Sequence, residues 1–279
     1  MGDRAGSSPV IRIYFSHKVE QDLNLVQQSC HPHLNFITKE YKAMKTAAII
    51  TARGGSKRIP RKNIKEFCGK PILAYSIEAA LQAGVFNTVM VSTDDREIAE
   101  TARRYGAEVP FFRSEKTSND YAATHQVIEE VLNEYEERGE HFDGVCCIYP
   151  TAPFLSPMRL KAAMELLEQT KADSVLPVVK FSFPPQRGVI LEDGYLKFKW
   201  PENRLARSQD LEPLYHDVGQ FYCLNTASFK VQRMLVMEKT VPIIMSEMEI
   251  QDIDTEEDWR LAELKFRLLQ EKASQQTPN

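Results

Sequence analysis

No apolar run in this 279-residue chain approaches the roughly 20 residues that a membrane-spanning helix needs, and the N-terminus lacks the basic-then-apolar order of a secretory signal. Cysteine is scarce: five residues, an odd number without spaced pairs, exclude a secreted disulfide framework and a four-cysteine zinc site. These absences predict a cytoplasmic protein. A surplus of positive charge is also missing. With 35 basic and 39 acidic residues well mixed, the net charge of -4 leaves no extended basic face for a duplex, so nucleic acid is not an expected partner and any positive cluster is local. Neither G-x-G-x-x-G opening a helix nor G-x-x-x-x-G-K-[ST] occurs, which removes the usual dinucleotide and P-loop fingerprints. What is present is a 43% hydrophobic content, ample for the core of one α/β domain or of one domain with an insertion.

Two compositional regimes meet near Met44. Before it, Gly6-Ser7-Ser8-Pro9 and Cys30-His31-Pro32-His33 stand in a stretch with no sustained period. The latter invites a zinc reading but lacks a fourth ligand at suitable spacing and has a proline inside. Lys39-Glu40 can be encoded as a ribosome-binding sequence suitably placed before Met44. The expectation is an N-terminal extension, 1–43, outside the catalytic fold, with translation beginning at Met44.

From there the pattern is strand, loop, helix, repeated. Thr46 to Thr51 reads as a central strand, and Pro71 at a first helical position leads a helix from Ile72 to Ala83, closed by Gly84. Strands are predicted at Val89 to Val91, Val145 to Tyr149, Ser174 to Val179, Gln220 to Leu224 and Val241 to Ile244. Helices are predicted at Arg96 to Tyr105, Tyr121 to Arg138, Pro157 to Glu168 and from about Glu256, with a frayed tail over 273–279. This alternation predicts a three-layer α/β/α domain over 44–272 with a mostly parallel, Rossmann-like sheet. It breaks over about 180–217, where Phe181, Phe183, a turn at Glu192-Asp193-Gly194, Phe198 and Trp200 suggest a hairpin-rich insertion whose aromatics serve a homodimer. Cys146 and Cys147, adjacent on a strand, point to opposite faces and are expected in the core, as are Cys68 and Cys223.

The segment Ala52-Arg53-Gly54-Gly55-Ser56-Lys57-Arg58-Ile59-Pro60-Arg61-Lys62-Asn63 crowds basic and hydroxyl side chains around two glycines just after the first strand. Glycines let backbone N–H groups approach phosphate oxygens, and Arg and Lys add charge-assisted hydrogen bonds. At the C-terminal end of a parallel strand, this predicts a polyphosphate-binding loop rather than a basic surface turn. Asp252 and Asp254 flank Ile253, so on an extended segment both carboxylates share a face, a donor pair suited to Mg²⁺ (or Mn²⁺). The alternative there is a helix start in which Thr255 and Asp258 form a capping box, and both readings can hold together.

The loop, followed by Gly69-Lys70-Pro71, Val91-Ser92-Thr93-Asp94, Pro150-Thr151-Ala152-Pro153-Phe154 and Asp252-Ile253-Asp254, resembles the cytidylyltransferases that activate nonulosonic acids, the sialic acid synthetase family. The resemblance covers residue 45 to about 269. It implies a nucleotidyltransferase fold, CTP and an acidic nine-carbon sugar as substrates, and the metal on Asp252 and Asp254. For the nucleotide it implies Ala52, Arg53, Gly54, Gly55, Ser56, Lys57, Lys62, Asn63, Ser92, Arg113 and Thr124, with Arg53 and Lys62 also catalytic. Asp94 is a further metal or ribose contact or a helix N-terminal residue, and Arg113 alternatively a solvated loop arginine. His125 reads as a helix-face residue.

For the acceptor, Arg187 and Arg207 correspond to basic residues near the acid's carboxylate, with Tyr149, Gln186, Gln220 and Tyr222 completing the pocket. Tyr149 stands where the sialic acid enzymes have Gln. With Phe183-Pro184-Pro185-Gln186-Arg187 and Tyr215-His216-Asp217, it places the resemblance closest to the pseudaminic acid branch, whose 6-deoxy, diacylamino acid suits an apolar wall. Such an enzyme transfers CMP from CTP and releases pyrophosphate, chiefly by positioning and charge neutralisation. His216 is a candidate general base, although metal coordination offers another way to acidify the hydroxyl. Sialic or legionaminic acid is the alternative acceptor, and a non-catalytic nucleotide-binding regulator is disfavoured by the intact aspartate pair.

Overall fold

The structure, a computed structural model, describes residues 44–276, with side chains through Lys272. The segment 1–43, with its expected extension and the Cys30 to His33 cluster, lies outside the described residues. The chain divides into two compact units, one of which comprises 44–178 and 218–279 and the other, in its described part, 179–217.

In the larger unit the sheet strands are β1 (Thr46–Thr51), β2 (Thr88–Ser92), β3 (Gly144–Ile148), β4 (Ser174–Lys180), β5 (Phe221–Asn225) and β6 (Thr240–Ile244). They run in the order β6-β4-β5-β3-β1-β2. Pairings β1–β2, β1–β3 and β4–β6 are parallel, while β5 runs antiparallel to both of its neighbours. The sheet is thus mostly parallel, with one reversed strand that alternation alone does not reveal. The helices are α1 (Ile72–Ala83), α2 (Arg96–Arg104), α3 (Thr124–Glu137), α4 (Pro157–Thr170), α5 (Thr226–Gln232) and α6 (Glu256–Gln276).

Strand periodicity divides the core. Ala48 and Ile50 of β1, Val89 and Val91 of β2, and Cys146 and Ile148 of β3 pack with Leu73 and Ile77 of α1, Ile98 and Ala102 of α2, and Leu160 and Met164 of α4. The alternate residues Ala47, Ile49, Met90, Val145 and Cys147 are also fully buried but face away from that cluster, and α3 buries Val127, Ile128, Val131, Leu132 and Tyr135. Helices therefore cover both faces, the expected three layers. Cys146 and Cys147 do diverge, and Cys146 meets Cys223 across the strands with sulfurs 3.4 Å apart.

Three boundaries are corrected. Pro71 lies just before α1 with extended backbone instead of inside its first turn. α3 begins at Thr124, because Asn119 to Ala123 stay extended or turned after a single helical turn, Glu115–Ser118. α6 runs on to Gln276, since nothing from Lys272 to Gln276 breaks a helix and the first proline is Pro278.

The unit 179–217 contains the expected hairpin, Val189–Glu192 paired antiparallel with Tyr195–Phe198. Asp193 (φ 52°) and Gly194 (φ 80°) make the two-residue turn, the pair of positive φ angles that matches the twist of a tight hairpin.

Candidate active site

Register aligns the strand ends. Thr51 pairs with Ser92 and Ile50 with Ile148, so the segments after β1, β2 and β3 emerge together at the C-terminal edge of the sheet, where α/β folds bind ligands. The reversal of β5 delivers its N-terminal end to the same edge, where the Gln220 carbonyl accepts from the Tyr149 N–H at 2.8 Å. A cleft of about 520 Å³ opens there, lined by Arg53, Ser56, Lys57, Arg58, Lys62 and Asp120 together with Tyr149, Pro150 and Thr151.

The loop is held by its own sequence. Ala52 is buried, and its N–H donates to the Ser92 carbonyl at 3.0 Å. The Asn63 amide, also buried, donates to the Arg53 carbonyl at 2.8 Å. Asp94 accepts from the Gly54 N–H at 2.8 Å, so its carboxylate already occupies one phosphate-type donor. A Cβ on Gly54 would lie 2.9 Å from the Asp95 carboxylate, whereas one on Gly55 would meet nothing within 4 Å. Glycine is thus sterically required at the first position and leaves open space at the second.

A small apolar cluster joins the loop to the acidic segment. Ile59 from the loop and Ile253 from between the two aspartates are buried together with Phe67, Ile72, Trp259 and Ala262. This shared anchor brings residues nearly 200 positions apart within contact. Arg58 donates to Asp254 at 2.8 Å, and the Lys62 ammonium donates to the Ile253 carbonyl at 2.6 Å and lies 3.7 Å from Asp254. Burial lowers the Lys62 pKa, while Asp254 and Asp252 oppose that shift. Desolvation by the surrounding protein, then the like charge of Asp254, raises the Asp252 carboxyl above its ordinary range. The Asp258 carboxylate accepts from the backbone N–H groups of Asp254 and Thr255, and the Thr255 hydroxyl accepts from Asp258 N–H at 3.2 Å. The capping box and the paired aspartates therefore coexist. Asp252, exposed, and Asp254, half-buried, are hard oxygen donors of like charge and fit a divalent cation; among the described residues no group of three or more acidic, His or Cys side chains forms a complete metal cage.

The remaining sequence candidates divide. Arg53, Ser56, Lys57, Lys62 and Asn63 line the cleft. Ser92 and Arg113 do not reach it as free groups: Arg113 is buried and donates to the Ser92 hydroxyl at 3.0 Å and carbonyl at 2.6 Å. The solvated alternative for Arg113 is thereby corrected, since burial holds its pKa down to about 10. Thr124 opens α3, and its hydroxyl lies 3.0 Å from the Tyr149 hydroxyl. Tyr222 is buried behind Tyr149, ring centroids 5.6 Å apart. Gln220 is buried too, its amide N–H donating to the Glu249 carbonyl at 2.7 Å.

Gln186, Arg187, Arg207 and His216 belong to the unit 179–217. There Gln186 donates to the Glu212 carbonyl at 2.7 Å, Arg187 stacks over Phe183 at 5.7 Å, and Arg207 makes a forked pair with Asp210 at 2.7 and 3.1 Å. His216 Nδ1 lies 2.9 Å from the Asp217 carbonyl. Asp120 and Arg58 are site residues that motif reading missed. Ser118-Asn119-Asp120 looks like any polar turn, and only the three-dimensional structure shows the Asp120 carboxylate between Arg53 and Lys57.

Residues 47–229 match the family model described as cytidylyltransferase. The pseudaminic acid cytidylyltransferase of Campylobacter jejuni serotype O:2 is 38% identical over 231 residues, covering 82% of this chain and all of the relative. The CMP-N,N'-diacetyllegionaminic acid synthase of Legionella pneumophila is 34% identical over 237 residues, covering 82% of this chain and 99% of the relative. Among solved structures, a CMP:2-keto-3-deoxy-manno-octonic acid synthetase complexed with CTP superposes with a TM-score of 0.58 at 18% identity, over 81% of this chain and 99% of that one, a likeness of fold.

Proposed function

The chain belongs to the cytidylyltransferase family, and from that premise we propose that it transfers CMP from CTP to the anomeric hydroxyl of a nonulosonic acid, pseudaminic acid in first place, releasing pyrophosphate. The observation that carries this reading is the cleft itself, where Arg53, Lys57, Arg58 and Lys62 converge beside Asp252 and Asp254 at the strand ends. Four cations suit a triphosphate, and a carboxylate pair suits its metal.

In the step we envisage, the acid's anomeric oxygen forms a bond to the α-phosphorus of CTP as the bond from that phosphorus to the bridging oxygen breaks. Pyrophosphate carries away the electron pair, and the hydroxyl proton passes to solvent. Arg53 and Lys57 hold the leaving pyrophosphate, and Lys62 neutralises charge where the loop meets Asp254. Asp252 and Asp254 would hold Mg²⁺ or Mn²⁺, which when bound supplies Lewis-acid neutralisation of phosphate charge. Tyr149, backed by Tyr222 and tied to Thr124, offers an apolar wall that favours a deoxygenated, diacylamino sugar. Arg187 and Arg207 are assigned to the acceptor's carboxylate by family correspondence.

Turnover of a panel of acids with CTP tests this directly. Pseudaminic acid should give the highest kcat/KM; equal or better turnover of sialic or legionaminic acid would move the acceptor assignment. We also place a homodimer on the hairpin, whose Leu191, Tyr195 and Leu196 are each more than 70% exposed. Sedimentation of a Leu191→Glu, Leu196→Glu variant as monomer would support it, and an unchanged dimer would argue against it. A cytoplasmic location agrees with the free thiols of Cys68, Cys146, Cys147 and Cys223, and no described helix is long and apolar enough to cross a membrane.

A further inference from the structure

Among the described residues lining the cleft, Asp120 is the one acid. Its two carboxylate oxygens are divided between two cations of the polyphosphate loop: Oδ1 accepts from Arg53 at 2.6 Å, and Oδ2 from Lys57. Neither cation makes another ion pair among the described residues. Hydrogen bonds from Lys57 and Arg53 hold the Asp120 carboxyl below the usual range. A carboxylate shared in this way presents the loop with the oxygens that a phosphate would otherwise bring.

Two other carboxylates on this loop, Asp254 and Asp94, are differently held, and Asp95, paired with Arg61, is fixed as the cap of α2. Asp254 follows the buried Ile253, and its backbone is fixed by Asp258. Asp94 lies two residues after β2 and accepts from the Gly54 N–H. Asp120 instead lies in an exposed stretch whose own bonds are short-range, from the Asn119 amide to the Lys116 carbonyl and from the Tyr121 N–H to the Asn119 side chain, both 2.8 Å. Firm points bracket that stretch. Before it, Glu130 accepts from the Ser114 N–H at 2.8 Å and from the Ser114 and Thr117 hydroxyls at 2.7 and 2.5 Å; after it, Thr124 is tied to Tyr149. A tethered acid between fixed ends can leave the cations without unfolding anything else.

We propose that Asp120 is a positioning residue that stands in for polyphosphate: it keeps Arg53 and Lys57 paired and aligned in the empty loop, yields them to the incoming triphosphate, and competes for them again as pyrophosphate leaves. This deepens the function proposed above and rests on it. The acid then weakens substrate binding and speeds product release, a compromise that serves turnover.

The test is calorimetric titration of the full chain with magnesium pyrophosphate, and separately with CTP, for wild type, Asp120→Asn and Asp120→Glu, alongside steady-state kinetics. Asp120→Asn should bind both ligands about five-fold more tightly, the order expected from removing two exposed ion pairs. Its KM for CTP should fall and kcat should fall with it, because product leaves more slowly, while Asp120→Glu retains wild-type behaviour. Equal or weaker binding by a folded Asp120→Asn would overturn the proposal, and Asp120→Ala repeats the comparison if the Asn variant does not fold. Pyrophosphate binding requires no acceptor. A wild type that binds it but makes no product from any acid counts against the proposed function, whereas a competent enzyme whose Asp120→Asn variant does not tighten counts against this inference alone.

Discussion

Lys62 ties the two ends of the site together, donating to the Ile253 carbonyl from a loop almost 200 residues earlier in the chain. Replacement by Met keeps the stem and removes the charge; kcat/KM should fall about 100-fold, in keeping with the loss of one charge-stabilising group, while the melting temperature moves little. A pyrophosphate-release assay reads the first quantity and a thermal scan the second. The glycines give a sharper contrast. Gly54→Ala drives a Cβ to 2.9 Å from Asp95 and should raise the KM for CTP, whereas Gly55→Ala meets nothing and should bind CTP within about two-fold of wild type on steric grounds. Sequence alone identified the basic loop and the aspartate pair, because local crowding of charge around glycines is itself the signal. It did not separate cleft-facing groups from those spent inside. Ser92 stands in the motif as a polar residue, yet its hydroxyl and carbonyl are spent on Arg113, whereas Asn63 lines the cleft while its amide also holds the Arg53 carbonyl. Asp120 carried no local signal at all.

Two elements set the geometry of the loop's surroundings. Asp95 caps α2 by accepting from the Ile98 N–H at 3.0 Å and pairs with Arg61. The Arg61 hydrogen bond, reinforced by the Ile98 N–H, depresses the folded pKa of Asp95, so its stabilisation is present above the unfolded value near 3.9 and is lost as pH falls through the folded value. Asp95→Ala should therefore cost about 1–2 kcal/mol near neutral pH, with the deficit closing below about pH 4. Urea unfolding at several pH values checks both the size and the sign. At the other end, Trp259 of α6 stacks edge-on against Phe67 at 5.5 Å and packs with Ile59 and Ile253. Trp259→Ala should cost about 3–5 kcal/mol and reduce turnover as well, since the same cluster positions loop and aspartates. Element order was legible because apolar alternation and helix stops are written locally. The late start of α3 was not, because Asn119 to Ala123 continue a polar pattern that a helix also tolerates. The antiparallel setting of β5 was hidden for a related reason: a buried strand is apolar in either direction.

In the whole molecule, a mostly parallel sheet with one reversed strand gathers the segments after β1, β2 and β3 and the one before β5 at one edge. An insertion over about 180–217 was expected from the break in alternation, and the Asp193-Gly194 turn expected there joins the two strands of the hairpin. Under the proposed function, Arg187 and Arg207 of this segment would take the acceptor and the cleft would take the donor. Under the same proposal, the cleft passes the α-phosphorus of CTP to an acidic sugar. Phosphorus NMR of the full chain with CTP, Mg²⁺ and pseudaminic acid follows that atom directly. The CTP α-resonance should be replaced by a phosphodiester in equal amount to free pyrophosphate, only when the acid is present and not with Asp252→Asn. Conversion of CTP to free CMP or CDP without a sugar adduct, or undiminished adduct formation by Asp252→Asn, would contradict it.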